Sequence, residues 1–234
     1  MPNPLRSLFL HWHRWRGTRV VLRDGVRIST DPGTTPKLVR SLLFKNTYEA
    51  AERTLLPRVV RAGDCVLDIG GGIGLVGLLA ARLVGPEGRV VSYEANPGLE
   101  PMIRANYALN PSAPELRMRA VTPDGAAVTF HVADNLVSSS LHAREAATRA
   151  ITVDSDALDP VIADLQPDVL VMDVEGAEVD LLPAAHLRGL RALVLELHPH
   201  VVGAEAISAL TAALAAKGFT RTGALDANEI WERR

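Results

Sequence analysis

The sequence has a single cysteine, Cys65, among its 234 residues, so no disulfide can close within the chain and a reducing compartment suits it. Cys65 leads into the apolar pair Val66-Leu67, where a free thiol behaves as a small, inert core residue. An excess of one charge is also lacking. Twenty-five Lys and Arg stand against 27 Asp and Glu, a formal net charge of −2, so there is no global field to draw in nucleic acid or an anionic membrane. No apolar run approaches the ~20 residues that a membrane-spanning helix needs, and the start has neither the apolar stretch nor the small-residue cleavage site of a signal peptide. The expectation is a cytoplasmic protein.

With 47% apolar residues, the chain is long enough for one large core and too short for two full domains. We expect an N-terminal extension over residues 1–56 and one α/β domain over residues 57–234. Within the extension, Leu5 to Arg16 mixes aromatic and basic residues, a pattern that suits a docking helix or contact with a surface.

From residue 64 onward, short apolar strands alternate with helical patterns, as in βαβ units around a parallel sheet. Val66–Ile69 reads as the first strand, followed by the glycine-rich Gly70–Gly74 and an apolar helix to about Val84, where Gly85-Pro86 stops it. Arg89–Tyr93 is the second strand, and Pro97 opens a helix with Leu99, Met102, Ile103 and Tyr107 on one face. Leu116–Val121 is expected as a third. Ala127–Val132 and Ala150–Val153 alternate as further strands, joined through the Ser-rich Asn135–Leu141 loop. Asp168–Met172 and Ala192–Leu197 are continuous apolar runs, as expected of buried parallel strands. A helix carrying Ile207, Leu210 and Leu214 ends at Lys217-Gly218, and Phe219–Thr222 and Glu229–Glu232 can form an antiparallel pair.

In an open α/β sheet, ligands bind outside the carboxyl ends of the strands, near the switch in strand order. After the first strand, Gly70, Gly71, Gly72 and Gly74 let the backbone turn sharply and approach a ligand closely. Asp68 can hold an ammonium group, and Glu94, closing the second strand with Ala95, can accept both hydroxyl protons of a ribose. The adenine is expected beside Ala120 and Val121. Gly72-Ile-Gly-Leu-Val-Gly77 also matches the dinucleotide pattern G-x-G-x-x-G. There, however, the first glycine would close the strand directly, and Asp68 would have no task beside a pyrophosphate. S-adenosyl-L-methionine, with its ammonium group, fits the residues better.

Four segments, in this order, carry a resemblance: Val66-Leu-Asp-Ile-Gly-Gly-Gly-Ile-Gly74, Tyr93-Glu-Ala-Asn-Pro97, Met172-Asp-Val-Glu-Gly-Ala-Glu178 and Leu195-Glu-Leu-His-Pro199. Over about Tyr48 to Phe219 the chain resembles the FkbM family of methyltransferases. The third segment is the most specific; the first alone would fit any class I methyltransferase. The family commonly has Gly-Ala-Asn-x-Gly where this chain has Gly70–Gly74, and Glu-Pro-Asn-Pro where it has Glu94–Pro97. The resemblance implies a class I methyltransferase-like, doubly wound, mostly parallel seven-stranded sheet with an antiparallel C-terminal strand, and methylation of hydroxyls on sugars or secondary metabolites.

Methyl transfer from a sulfonium is a one-step displacement, so donor and acceptor must be held in line while the acceptor loses a proton. His198 is the expected base, because an unperturbed imidazole is neutral near pH 7, and Pro199 restrains the chain beside it. Asp173 would orient the acceptor or the imidazole. Glu175 would hold a sugar hydroxyl or cap the next helix. Tyr48, Ser139, Ser140 and Glu196 are expected at the acceptor, with Tyr48, Glu49 and Glu52 of the extension covering the cleft. Carboxylates with His198 and His200 could also coordinate a divalent ion, although the expectation is a site without metal. An N-methyltransferase, or a silent subunit that keeps the cofactor fold, are the competing functions. The partner expectations are a small-molecule or glycan acceptor, no nucleic acid, no transmembrane segment, and a homodimer as the assembly to test.

Overall fold

The computed structural model describes residues 17–133 and 148–233. The chain enters through a β-hairpin, β1 (Val20–Arg23) with β2 (Val26–Ser29), paired antiparallel from Val20 opposite Ser29 to Arg23 opposite Val26. Its turn is Asp24-Gly25, with φ of 47° and 85°, the two left-handed residues that a tight hairpin turn requires. No strand was expected in this extension. The Asp-Gly pair between Val- and Ile-bearing runs is the signal that would have found the hairpin. Helices α1 (Lys37–Lys45) and α2 (Ala50–Leu55) follow.

The central sheet then begins with β3 (Cys65–Ile69), α3 (Leu75–Val84), β4 (Arg89–Tyr93), α4 (Glu100–Ala108) and β5 (Glu115–Arg117). The expected third strand is in fact two. At Arg119 the backbone turns, its N–H donating to the Arg117 carbonyl, and the guanidinium pairs with Asp156 and Asp154. The chain beyond this turn, β6 (Ala120–Thr122), leaves the sheet. Next come β7 (Val128–Ala133) and β8 (Thr148–Val153), which pair with each other outside the sheet, and β9 (Ser155–Ala157), which pairs with β6. The remaining elements are α5 (Leu158–Leu165), β10 (Val169–Met172), α6 (Glu178–Ala184), β11 (Ala192–Glu196), α7 (Pro199–Val202), α8 (Ala204–Ala216), β12 (Phe219–Leu225) and β13 (Asn228–Arg233).

The seven-stranded sheet runs β12-β13-β11-β10-β3-β4-β5. From β11 through β5 neighbours are parallel, while β13 runs antiparallel to both β11 and β12. This is the expected mostly parallel sheet with an antiparallel C-terminal strand. Alternate residues serve opposite faces. Val66, Val169, Val171 and Val194 join a core with α1, α3 and α4, whereas Leu67, Leu170, Met172 and Leu193 join one with α5, α6 and α8. The first core also contains Val21, Val26, Ile28, Val39, Leu43 and Leu55, so residues 17–56 pack on the sheet itself. Chain order reverses between β3 and β10, and the residues following β3, β4, β10 and β11 therefore meet at the switch point. Among the described residues, no helix is long and apolar enough to cross a membrane.

Candidate active site

The loop after β3 is fixed by its own hydrogen bonds. Gly70 and Gly71 donate to the Tyr93 carbonyl at 2.9 and 3.0 Å, and Gly74 donates to the Gly71 carbonyl at 2.8 Å. Gly70 has φ +90°, and a Cβ there would lie 1.7 Å from the Asp173 carbonyl oxygen, so β3 and β10 can adjoin only with glycine at this point. At Gly71 a Cβ would lie 2.4 Å from the Ser92 hydroxyl.

Glu94 ties this loop to the next strand. One carboxylate oxygen accepts from the Gly72 N–H at 2.8 Å and the other from the Asn96 N–H at 2.7 Å. The Ala95 N–H lies against the same carboxylate, which as an acceptor-only group with about four lone-pair sites still has capacity for a ribose hydroxyl. Burial pushes Glu94 up to about 7, against the backbone N–H donors of Asn96, Gly72 and Ala95 that favour its charged form. Asp68 is more enclosed. It accepts from the Ser92 hydroxyl at 2.7 Å beneath the loop, and burial pushes it up to about 6. Ala95 packs with Ala120 and Val153 in a small apolar cluster, while Val121 belongs to the larger core beneath. Of the residues expected beside the adenine, Ala120 and not Val121 is on the side of Ala95.

A second group gathers where β10 and β11 end. His198 is 4% exposed, and its Nδ1 lies 3.2 Å from Glu178 Oε1, which also accepts the His198 backbone N–H at 3.0 Å. The other Glu178 oxygen accepts from the Gly176 N–H at 2.8 Å. His198 Nε2 faces Asp173 Oδ1 at 3.5 Å and Glu175 Oε2 at 3.9 Å. Burial works against the imidazolium, but the hydrogen bond and charge of Glu178 outweigh it, and His198 is raised above its ordinary 6.5. Asp173 is raised well above the usual carboxylate range by burial and by the Glu196 and Glu52 carboxylates, and its Oδ1 is buried without a hydrogen bond. Glu175 takes a left-handed φ of +54° just before Gly176, turning the chain into α6.

The N-terminal segment completes the wall. Glu52, 5% exposed, hydrogen-bonds to Glu196, and burial with that contact pushes it up to about 8. Tyr48 and Glu49 lie over Gly72. The backbone ahead of them is held by Arg53, whose guanidinium donates to Asp24 at 2.6 Å, to the Tyr48 carbonyl at 2.7 Å and to Asn46 at 2.7 Å. Asp173, Glu175, Glu196 and His198 thus gather beside Gly70–Gly74 and Glu94 at the ends of the strands, with Asp68 beneath the glycine loop, whereas Ser139 and Ser140 lie outside the described residues. Glu178 was not singled out from sequence, although it is the last residue of the most specific motif. For a divalent ion, Asp173, Glu196 and His198 each offer one ligand atom within 4.8 Å of the others; His200 is not among them, its ring centred 5.8 Å from that of His198.

The family model described as "Methyltransferase FkbM domain" matches residues 68–219. No curated protein matches the chain by sequence. Among solved structures, precorrin-6y C5,15-methyltransferase from Geobacter metallireducens GS-15 is 15% identical, with 86% of this chain and 93% of that one covered at a TM-score of 0.49. An S-adenosylmethionine-dependent O-methyltransferase from Thermotoga maritima is 13% identical, with 85% and 71% covered at 0.48. Aeropyrum pernix fibrillarin, in complex with natively bound S-adenosyl-L-methionine, is 13% identical, with 76% and 71% covered at 0.44.

Proposed function

The chain belongs to the FkbM family of methyltransferases, and on that premise we propose that it transfers the methyl group of S-adenosyl-L-methionine to a hydroxyl of a sugar, glycan or secondary metabolite. The cofactor supplies an electrophilic methyl on a sulfonium. The fit of the crevice to it rests on the Gly70–Gly72 turn, which tolerates no side chain at Gly70, and on Glu94, an acceptor held at the end of β4 by backbone N–H groups.

The observation that carries the hydroxyl reading is the paired imidazole. An amine acceptor can lose its proton to solvent before it attacks, whereas a hydroxyl needs a positioned base. His198 has Nδ1 held by a buried carboxylate, and its Nε2 faces the crevice beside Asp173, the arrangement of an oriented base. In this reading His198 takes the acceptor proton at Nε2, Glu178 stabilises the imidazolium that forms, Asp173 and Glu175 orient the acceptor, and Glu196 with Tyr48 lines its entry. Because His198 is raised, the neutral base is fully available only above pH 6.5, and turnover should rise with pH through that region.

Methyl-labelled cofactor offered to matched pairs of acceptors, each hydroxylated compound beside its amino analogue, tests the proposal. Label on oxygen, with transfer lost in His198→Gln, is the expected result. Label on the amine alone would turn the assignment to N-methylation.

A further inference from the structure

With the ribose at Glu94 and the adenine on the side of Ala95 and Ala120, the methionine moiety must run the other way, past Gly72 towards the end of β10. The side chains along that path come from the N-terminal segment. A Cβ built on Gly72 would lie 3.0 Å from Glu49 Oε1 and 3.3 Å from the Tyr48 hydroxyl, so both groups close directly over the loop. Glu49 Oε2 is buried without a hydrogen bond, and among the described residues no Lys, Arg or His forms an ion pair with Glu49. Asp68, the acid that sequence pointed to for the ammonium group, is 2% exposed and committed to Ser92 beneath the loop, its Oδ2 only 2.8 Å from where a Cβ on Gly77 would be.

From these contacts we infer that Glu49 receives the ammonium group of the methionine moiety of S-adenosyl-L-methionine, with the Tyr48 phenol aligning its carboxylate. The inference rests on that cofactor occupying the crevice. The electrostatics agree with the geometry. Burial and the Glu52 and Asp173 carboxylates raise Glu49 well above its ordinary range, and a cation seated against it relieves both causes. Its placement on a segment preceding the sheet also couples cofactor capture to the same stretch of chain that carries Glu52 to the acceptor side.

The experiment uses the full chain and two ligands, S-adenosylhomocysteine, which has the ammonium group, and 5′-methylthioadenosine, which has the adenosine and thioether without the amino-acid part. Binding of each to wild type, Glu49→Gln and Asp68→Asn is measured by calorimetry. In Glu49→Gln, S-adenosylhomocysteine should weaken about 10- to 100-fold, the range for losing a hydrogen bond to a charged group. 5′-Methylthioadenosine should bind that variant within about twofold of wild type, which also reports an intact site. Equal losses for both ligands, or none for either, would overturn the inference. So would a larger selective loss in Asp68→Asn than in Glu49→Gln, because it would return the ammonium group to Asp68. Absence of both ligands from the wild-type protein would instead remove the cofactor assignment on which the inference stands.

Discussion

In the proposed cofactor site Glu94 joins the fold to the ribose, so its replacement should be read in two assays at once. In Glu94→Ala the Gly72 and Asn96 N–H groups both lose their acceptor, and each buried donor left unpaired costs about 1–3 kcal/mol. The sum, about 2–6 kcal/mol, corresponds for a chain of this size to a fall in melting temperature of about 5–20 °C. Loss of the ribose acceptor should add a weakening of S-adenosylhomocysteine binding by about 10- to 150-fold. Glu94→Gln separates charge from shape. Because the folded-state value is about 7 against an ordinary 4.5, the unliganded protein has a stability contribution from Glu94 that is fully present below about 4.5 and is lost as pH rises through about 7. In the Gln variant that part of the decline should vanish. Binding runs with the opposite sign. The ionised carboxylate is the form that attracts the cofactor's hydroxyls and positive charge, so wild-type affinity should fall by up to tenfold per unit as pH drops below about 7, with a proton released on binding. Calorimetric titrations of both proteins from pH 8 to pH 5.5 check this. The Asp68 carboxylate is itself one of the charges that raises Glu94, so the difference in slope reports Glu94 together with its coupling to Asp68. Parallel pH profiles, or a Glu94→Ala protein that melts with wild type, would refute the reasoning.

Gly70→Ala should cost about 2–5 kcal/mol, because the left-handed φ and a 1.7 Å approach to the Asp173 carbonyl together force β3 and β10 apart; a melt within 2 °C of wild type, measured by calorimetry, would contradict it. His198→Ala should lower turnover about 10²–10⁴-fold at saturating cofactor and acceptor while the protein stays folded, and retention of more than about a tenth would move the base to Asp173 or Glu175. Glu178→Gln removes the charge that holds His198 up, so the pH profile of turnover should shift to lower pH as its rate falls; an unmoved profile would separate Glu178 from the reaction. A chain begun at residue 41 lacks Val21, Val26, Ile28 and Val39 of the first core and should be unstable as well as inactive, seen as early melting and loss of near-ultraviolet circular dichroism.

How much of this was legible in the sequence follows from the range of the forces involved. The parallel strands were readable because β10 and β11 are buried on both faces and so appear as unbroken apolar runs. The glycine turn was readable because only glycine permits the contact at Asp173. What escaped depends on contacts between distant segments. The break between β5 and β6 is set by Arg119 reaching Asp156, 37 residues away. Glu178 matters because β10 and β11 bring it against His198, 20 residues on, and no local pattern states that pairing. Tyr48, Glu49 and Glu52 were expected over the cleft, but their particular contacts, Glu49 over Gly72 and Glu52 against Glu196, come from the shared core beneath α1 and α2.

Arg53 gives that extension a mechanical meaning. One buried guanidinium holds the hairpin turn at Asp24, the helix end at Asn46 and the backbone of Tyr48 together, so these three points move as one body. The edge of the crevice is in effect hinged to a surface turn formed by a different part of the chain. A load placed on that turn, whether by a binding protein, a graft or a single exchange at Asp24, would be delivered to Tyr48 and Glu49 without touching the glycine loop. On the proposed assignment of Tyr48 and Glu49, the hairpin is a handle on donor and acceptor capture, and the place where selection or design can tune turnover while leaving the chemistry alone.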